Sequence, residues 1–271
     1  MYKFMNRMLI LTLCFLFFTV PVAAGELVLK GSTTVLPIAQ KAAEAYMKEN
    51  PDVKISLSGG GSGNGIKAII DGTAHIGTAS RFIRQKEVNL ATTKGVYPVP
   101  FRIALDAIVP VVNKSNPITN LSLVQLKEIY LGKIRDWKDL GGKKGRIVVI
   151  SRDSSSGTFG VWKDMVMLKE RVVPSALTVP SNGAIVQAVA KTPGAIGYIG
   201  LGYMTPDIKP ITVNGVEGSE ENTLDGSFPI ARGLFLFTSG WPEGETLNFI
   251  SFILSGKGQD LIRDAGSIPL F

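Results

Sequence analysis

Three short stretches hold most of the residues able to do chemistry: Gly31-Ser-Thr-Thr34, Ser58–Gly65 (SGGGSGNG) and Ser151–Gly160 (SRDSSSGTFG). Each crowds hydroxyls and glycine into a gap between an apolar alternating run and a stretch with helical spacing. Such a loop can be a flexible surface turn, the nucleophile loop of an enzyme, or a cradle for an anion. The first turn of a helix carries unpaired N–H groups and about half a positive charge, so it attracts anions. Serine and threonine add neutral donors, and glycine lets the backbone approach a ligand. One such loop says little, since Ser or Thr there can simply cap the helix. Three in one chain favour the cradle. The third loop also carries Arg152, whose guanidinium grips phosphate-like oxygens with two donors at once.

Other chemistry is poorly supplied. The chain has one histidine and one cysteine, Cys14, which leaves the usual Cys/His zinc sites unavailable. A Ser-His-Asp triad would need His75, in Asp71-Gly-Thr-Ala-His75-Ile-Gly77, with no nucleophile elbow beside it. A structural or surface role is expected for it. Gly60–Gly65 has the outer spacing of a nucleotide-binding loop but continues Ile66-Lys67, lacking Gly-Lys-Ser/Thr. The densest basic cluster, Lys143-Lys144-Gly145-Arg146, has no interleaved aromatics and reads as a solvated turn, so no nucleic-acid partner is expected. No cofactor is expected either.

The first residues indicate the compartment. Lys3 and Arg7 precede the run Leu9–Val20, which ends at Pro21-Val-Ala-Ala-Gly25. A basic start, a short apolar core and a Val-x-Ala end make a secretory signal at 1–24, cut after Ala24. Twelve residues do not cross a hydrocarbon layer of ~30 Å as a helix. The protein is therefore expected in the periplasm, cysteine-free and unlipidated. The remaining ~250 residues suffice for two lobes held by burial alone. The formal charge of +7 drops by two with Lys3 and Arg7, and a modest positive field suits a small anion.

These loops need a frame. Glu26–Lys30 alternates as a strand, and Val35–Asn50 follows as a helix with Pro37 in its first turn. Val53, Ile55 and Leu57 alternate as the next strand. After SGGGSGNG comes a helix carrying Ile66, Ile69 and Ile70 that ends at Gly72. The plan repeats with strand Arg146–Ile150 and a helix bearing Trp162, Met165 and Val166. A looser fourth copy runs Leu177–Pro180, Ser181-Asn182-Gly183, helix Ala184–Lys191, then Gly194–Ile199. Strands alternating with helices predict an α/β fold with mainly parallel sheets, whose strand-to-helix loops gather at the strands' carboxyl ends. Val99–Val112 and Phe228–Thr238 are the extended segments able to cross between lobes. Two crossings divide the chain into 25–104 plus 230–271, and an inserted lobe 105–229.

Gly31-Ser-Thr-Thr, Ser58–Gly65, Ile76-Gly-Thr-Ala-Ser-Arg81, Ile129–Trp137 (IYLGKIRDW), Arg152–Thr158, Gly194-Ala-Ile-Gly-Tyr198 and Gly258-Gln259…Gly266-Ser-Ile-Pro269 together carry a resemblance. The chain resembles, over nearly all of its length after residue 24, the phosphate-binding proteins that serve ABC-type phosphate importers. The resemblance implies two α/β lobes joined by crossing strands and closing over one inorganic phosphate ion. It implies a monomer that meets the membrane permease and ATPase subunits of an importer. By position, it implies that Ser32, Thr33 and Thr34 serve the ligand at the first helix start, and Ser62 at the second. Arg152 would be the charged contact, with Ser156, Gly157 and Thr158 donating at the third, and Ser80 and Arg81 completing the set. One position departs: many family members have an aspartate after Gly-x-Ser, where this chain has Arg81. That aspartate accepts the proton of hydrogen phosphate and repels sulfate. With Arg81 there, an acceptor must come from elsewhere, Asp153 or Asp71 being the candidates.

Three functions are thus in play. One is an exported receptor that captures phosphate and hands it to a permease, hydrolysing nothing. Another is a binding protein or sensor for sulfate, molybdate or tungstate, which Arg81 keeps open. The last is a secreted phosphatase using a hydroxyl of Ser154–Ser156, for which the supply of base or metal is poor.

Overall fold

The computed structural model describes residues 26–271; the expected signal segment and its cut after Ala24 lie outside the described residues. The first half of the chain runs β1 (Glu26–Gly31), α1 (Leu36–Glu49), β2 (Lys54–Ser58), α2 (Ser62–Ile70), β3 (Ile76–Ala79), α3 (Gln85–Thr93), β4 (Pro98–Asn113), β5 (Asn120–Leu121) and α4 (Leu123–Tyr130). It continues with β6 (Val148–Arg152), α5 (Gly157–Met165), β7 (Leu177–Val179), α6 (Asn182–Lys191), β8 (Ala195–Gly200), β9 (Ile208–Pro210) and β10 (Thr212–Val213). Then follow α7 (Glu220–Leu224), β11 (Ala231–Ser239), α8 (Gly244–Leu254) and α9 (Gly256–Asp264). No described helix is long and apolar enough to cross a membrane.

The strands are hydrogen-bonded in the order β2-β1-β3-β11-β4-β8-β6-β7, with β9 also on β4. Within each half the pairing is parallel: β1 with β2 and β3, and β6 with β7 and β8. The halves meet at two antiparallel strands. β4 is sixteen residues long and pairs with β11 near its start and with β8 near its end. A register shift at Leu234/Phe235 bends β11 where it passes β4.

Two main cores flank this crossing, giving a two-lobe α/β architecture. One gathers Leu27, Ile38, Ala42, Ile76, Ala104, Leu234 and Phe249, together with other aliphatic side chains of β1, α1 and α8. A smaller cluster of Ile66, Ile69, Ala79 and Phe237 lies under α2. The other main core gathers Ala107, Ile108, Tyr130, Trp162, Ile185, Tyr198 and Ile230. Residues change core between Ala104 and Ala107 on β4, and between Ile230 and Leu234 next to and along β11. In the second core Trp162 stacks on Tyr198 at 4.2 Å between centroids and 8° between planes, directly beneath the loop that carries Arg152.

Several boundaries differ from the sequence expectation, each for a local reason. The strand expected at Arg146–Ile150 is Val148–Arg152, because Ile147 N–H is already bonded to Arg135 O before the sheet begins. The crossing expected from Phe228 begins at Ala231: Phe228 N–H bonds Asn222 O, and Pro229 has no N–H to offer a neighbour. The second helix begins at Ser62, so four residues of the glycine-rich stretch form its first turn. Gly61 precedes it at φ +102°, a region that favours glycine, and donates its N–H to Gly31 O.

Candidate anion-binding site

The helix starts singled out by sequence come together between the lobes. Thr34 Oγ1 and Thr158 Oγ1 are 3.2 Å apart, although 124 residues separate them in sequence. Ser62 Oγ lies 3.3 Å from Ser80 Oγ and accepts from Ser80 N at 2.9 Å. Gly157 closes the same ring: a β-carbon there would lie 2.2 Å from Ser62 Oγ and 2.5 Å from Ser80 Oγ. Thr33, Thr34, Ser62, Ser80, Arg152, Ser156 and Thr158 are all buried. Six hydroxyls, one guanidinium and the starts of α1, α2 and α5 are thus brought together.

The local sequence explains each position. Ser32 Oγ accepts from the N–H groups of Thr34 and Val35, in the turn that leads into α1. Ser156 Oγ accepts from Phe159 N and caps α5, leaving its hydroxyl proton to point elsewhere. The close approach of α2 to the sheet requires glycine at position 65, where a β-carbon would be 2.6 Å from both Lys30 O and Thr78 O.

Arg152 is fixed by its own lobe. Its Nε donates to Val179 O at 3.1 Å and its Nη2 to Pro180 O at 2.8 Å, while Nη2 also reaches Thr33 Oγ1 at 3.5 Å. Nη1 is buried with no protein partner. The side chain is 1% exposed, so an unmatched donor on a permanent cation fits an anion at this place. Burial lowers its pKa, with Asp153 opposing that shift. Below it, Tyr198 Oη contacts Ser151 Oγ at 2.9 Å and accepts from Arg152 N at 3.3 Å. Burial pushes the Tyr198 phenol up to about 12, which keeps it neutral beside the site.

Arg81 has a carboxylate partner of its own. Its Nη1 and Nη2 make a bidentate pair with Glu87 at 2.8 and 2.6 Å, and Nη1 also donates to Phe82 O. The side chain lies against α5, where a β-carbon on Gly160 would be 3.1 Å from Arg81 Cδ. Its Nε is buried with no protein partner, while the Glu87 carboxyl, raised by burial and lowered by the Arg81 hydrogen bond, is shifted downward overall. Of the two candidate acceptors, Asp153 Oδ2 lies 4.0 Å from Arg152 Nη2. Asp71 pairs with Lys67 and Lys94 at the far end of α2. Asp153 Oδ1 takes both the N–H and hydroxyl of Ser155. His75 Nδ1 accepts from Val28 N, a structural role.

A model described as a PBP superfamily domain matches residues 19–257. The chain belongs to the PBP superfamily. It is 32% identical over 251 residues to phosphate-binding protein PstS of Bacillus subtilis (strain 168), spanning 92% of this chain and 82% of that protein. It is 30% identical over 270 residues to PstS of Pseudomonas aeruginosa PAO1, spanning 91% and 84%. Among solved structures it matches a phosphate ABC transporter substrate-binding protein of Clostridium perfringens with bound phosphate, at TM-score 0.86 and 34% identity, over 91% of this chain and all of that one (100%). An ABC-type phosphate transport receptor of Vibrio cholerae matches at TM-score 0.73 and 30% identity, over 89% and 99%. These likenesses place the chain within the family of PstS phosphate-binding proteins.

Four site residues of this PBP-superfamily chain escaped the sequence reading. Asn182 begins α6 and is fully buried; its Nδ2 donates to Thr33 Oγ1 at 3.3 Å and Thr34 Oγ1 at 3.0 Å. Tyr203 Oη donates to Thr33 O from the same lobe. Arg232 on β11 donates to Thr34 Oγ1 at 3.2 Å and Ser80 O at 3.2 Å, and is paired with Asp106 on β4. Burial lowers the Arg232 pKa and Asp106 counters it. The fourth loop, Ser181-Asn182-Gly183, was the available signal for Asn182.

Proposed function

We propose that this chain captures inorganic phosphate in the cleft between lobes 25–104 plus 230–271 and 105–229, and delivers it to an ABC-type membrane importer. The observation that carries this reading is the buried Arg152 guanidinium, one donor unmatched, ringed by hydroxyls and three helix starts from both lobes. Such a ring binds a small tetrahedral oxyanion by many short donors, with no base or metal needed. The ligand donors are Thr33, Thr34, Ser62, Ser80, Arg152, Ser156, Gly157 and Thr158. The Ser32 side chain keeps its hydrogen bonds within its own turn and the Arg81 terminal nitrogens are held by Glu87, so neither is included. The named functions of the PstS relatives and the phosphate-bound clostridial structure support the ligand.

The protein is exported, works in the periplasm as a monomer, and meets the permease and ATPase only as a carrier. It is not an enzyme: His75 is held by Val28 across the sheet, so Ser154–Ser156 lack a histidine base. Binding closes the lobes, and the closed form is the one a permease distinguishes.

Calorimetric titration of extensively dialysed protein lacking residues 1–24 tests this directly. Phosphate and arsenate should release heat at one site per chain, accompanied by a smaller radius of gyration in solution scattering. No heat with either, or turnover of a chromogenic phosphate ester abolished by Ser156→Ala, would refute it.

A further inference from the structure

Most polar groups in the cleft donate. Thr33 Oγ1 receives Arg152 and Asn182, and Thr34 Oγ1 receives Asn182 and Arg232. Ser62 Oγ receives Ser80 N, and Ser156 Oγ receives Phe159 N. With those lone pairs engaged, the hydroxyl protons are what these side chains offer a ligand. Hydrogen phosphate also carries a proton of its own, which needs an acceptor. Of the carboxylates near the lobe interface, Glu87 is paired with Arg81, and Asp153 gives Oδ1 to Ser155 while its Oδ2, 4.0 Å from Arg152 Nη2, belongs to a side chain 36% exposed to competing water.

Asp106 remains. It sits on β4 at the lobe crossing, fully buried. Its Oδ2 accepts Arg232 Nε at 2.9 Å and Nη2 at 2.6 Å, and its Oδ1 accepts Leu201 N at 2.9 Å. A carboxylate has about four lone-pair sites; three are filled, and the fourth is on Oδ1. The Arg232 nitrogen that holds Oδ2 also reaches Thr34 Oγ1 at 3.2 Å, so the carboxylate is one nitrogen away from a cleft hydroxyl. Gly200 preserves this approach. A β-carbon there would lie 2.8 Å from Asp106 Oδ2, 3.1 Å from Oδ1 and 2.9 Å from Thr34 Cγ2, wedging the two side chains apart. Its φ of −71° and ψ of 148° suit any residue, so space and not backbone conformation calls for glycine.

We propose that Asp106 is the specificity-determining acceptor of this site: Oδ1 takes the hydrogen bond from the protonated oxygen of hydrogen phosphate, the task Arg81 does not perform. This rests on the phosphate reading above. A fully deprotonated tetrahedral anion brings no proton and meets that lone pair with repulsion, so sulfate is rejected. Arg232 pairs with the carboxylate and holds it in place, and Gly200 keeps it close to the ligand's hydroxyl donors.

The test titrates dialysed wild type, Asp106→Asn and Gly200→Ala with phosphate and, separately, sulfate. The wild type should prefer phosphate by about a thousandfold or more, as sites built around a hydrogen-bonding group do. Asp106→Asn should collapse that ratio by about a hundredfold or more, through weaker phosphate and equal or tighter sulfate. Gly200→Ala should lower the ratio in the same direction, and it carries the test should Asp106→Asn fail to fold. A wild-type ratio retained in either folded variant overturns the assignment. So does a wild type that takes sulfate as tightly as phosphate. A wild type that binds no phosphate at all removes the transport reading itself, an outcome recognisably different from both.

Discussion

Gly157→Ala isolates the closeness of the two lobes from every other property of the site. The added β-carbon meets Ser62 Oγ at 2.2 Å and Ser80 Oγ at 2.5 Å. Rotating Ser62 gives no escape, because Ser62 Cβ is itself 3.0 Å away. Restoring ordinary contact requires the lobes to part by about 1 Å, given carbon–oxygen packing near 3.5 Å. Parting by that amount stretches Thr34–Thr158 from 3.2 Å and Gly63 N–Ser155 O from 2.9 Å beyond hydrogen-bond range. The ligand would lose at least two donors from one wall. Hydrogen bonds to a charged group contribute about 1.5–3 kcal/mol each, so affinity should fall by roughly a hundredfold to ten-thousandfold. The unliganded protein should not suffer, because Gly157 is the first residue of α5 and alanine is the better helix former by up to ~1 kcal/mol. Calorimetry with phosphate, beside thermal melts without ligand, separates the two effects. Affinity within threefold of wild type would refute the claim that both lobes grip the ligand together.

Four more outcomes are expected. Arg152→Met should weaken phosphate by about a hundredfold or more in calorimetry, since a buried charge-assisted donor is lost. Asn182→Ala should cost about tenfold in affinity by freeing the Thr33 and Thr34 hydroxyls to turn away, one net hydrogen bond being ~1 kcal/mol. Arg81→Met should leave the phosphate titration within about twofold yet lower stability near neutral pH, by a deficit that closes as pH falls. The sign follows from Glu87: its folded carboxyl is held below the ordinary range, so its contribution is present above that range and lost as pH falls toward the lowered value. Melts between about pH 3 and 6 read this, and a large loss of phosphate binding would return Arg81 to the site. Trp162→Ala should cost about 3–5 kcal/mol in denaturant unfolding, because it empties the stack on Tyr198 beneath Arg152.

What could be read in the sequence were the features that repeat locally. Hydroxyl-and-glycine loops between alternating runs and helical spacing disclosed α1, α2 and α5 and seven of the eight proposed donors, because capping and close approach depend on neighbours in sequence. Ser80 sits at the end of a strand and came only with the family resemblance. Asp106 and Arg232 were invisible for the opposite reason. They are 126 residues apart, and only the register of β4 against β11 brings them opposite each other. For Arg81, position after Gly-x-x-Ser fixes where the backbone goes, while Glu87, six residues on, decides where its terminal nitrogens point. Asn182 stood in a loop recognised as a fourth copy, yet an amide before a helix reads equally well as a cap.

The two segments that cross between lobes are hydrogen-bonded to each other from Pro98 to Ala107 and from Ala231 to Ser239. A pair of separate tethers would let one lobe slide, rock and swivel on the other. A ladder of this length resists sliding, since every rung would have to break at once, and leaves flexing and torsion of a single ribbon. If binding closes the lobes as proposed, that motion is reduced to few degrees of freedom, which returns Thr158 to Thr34 and Gly157 to Ser62 along one path.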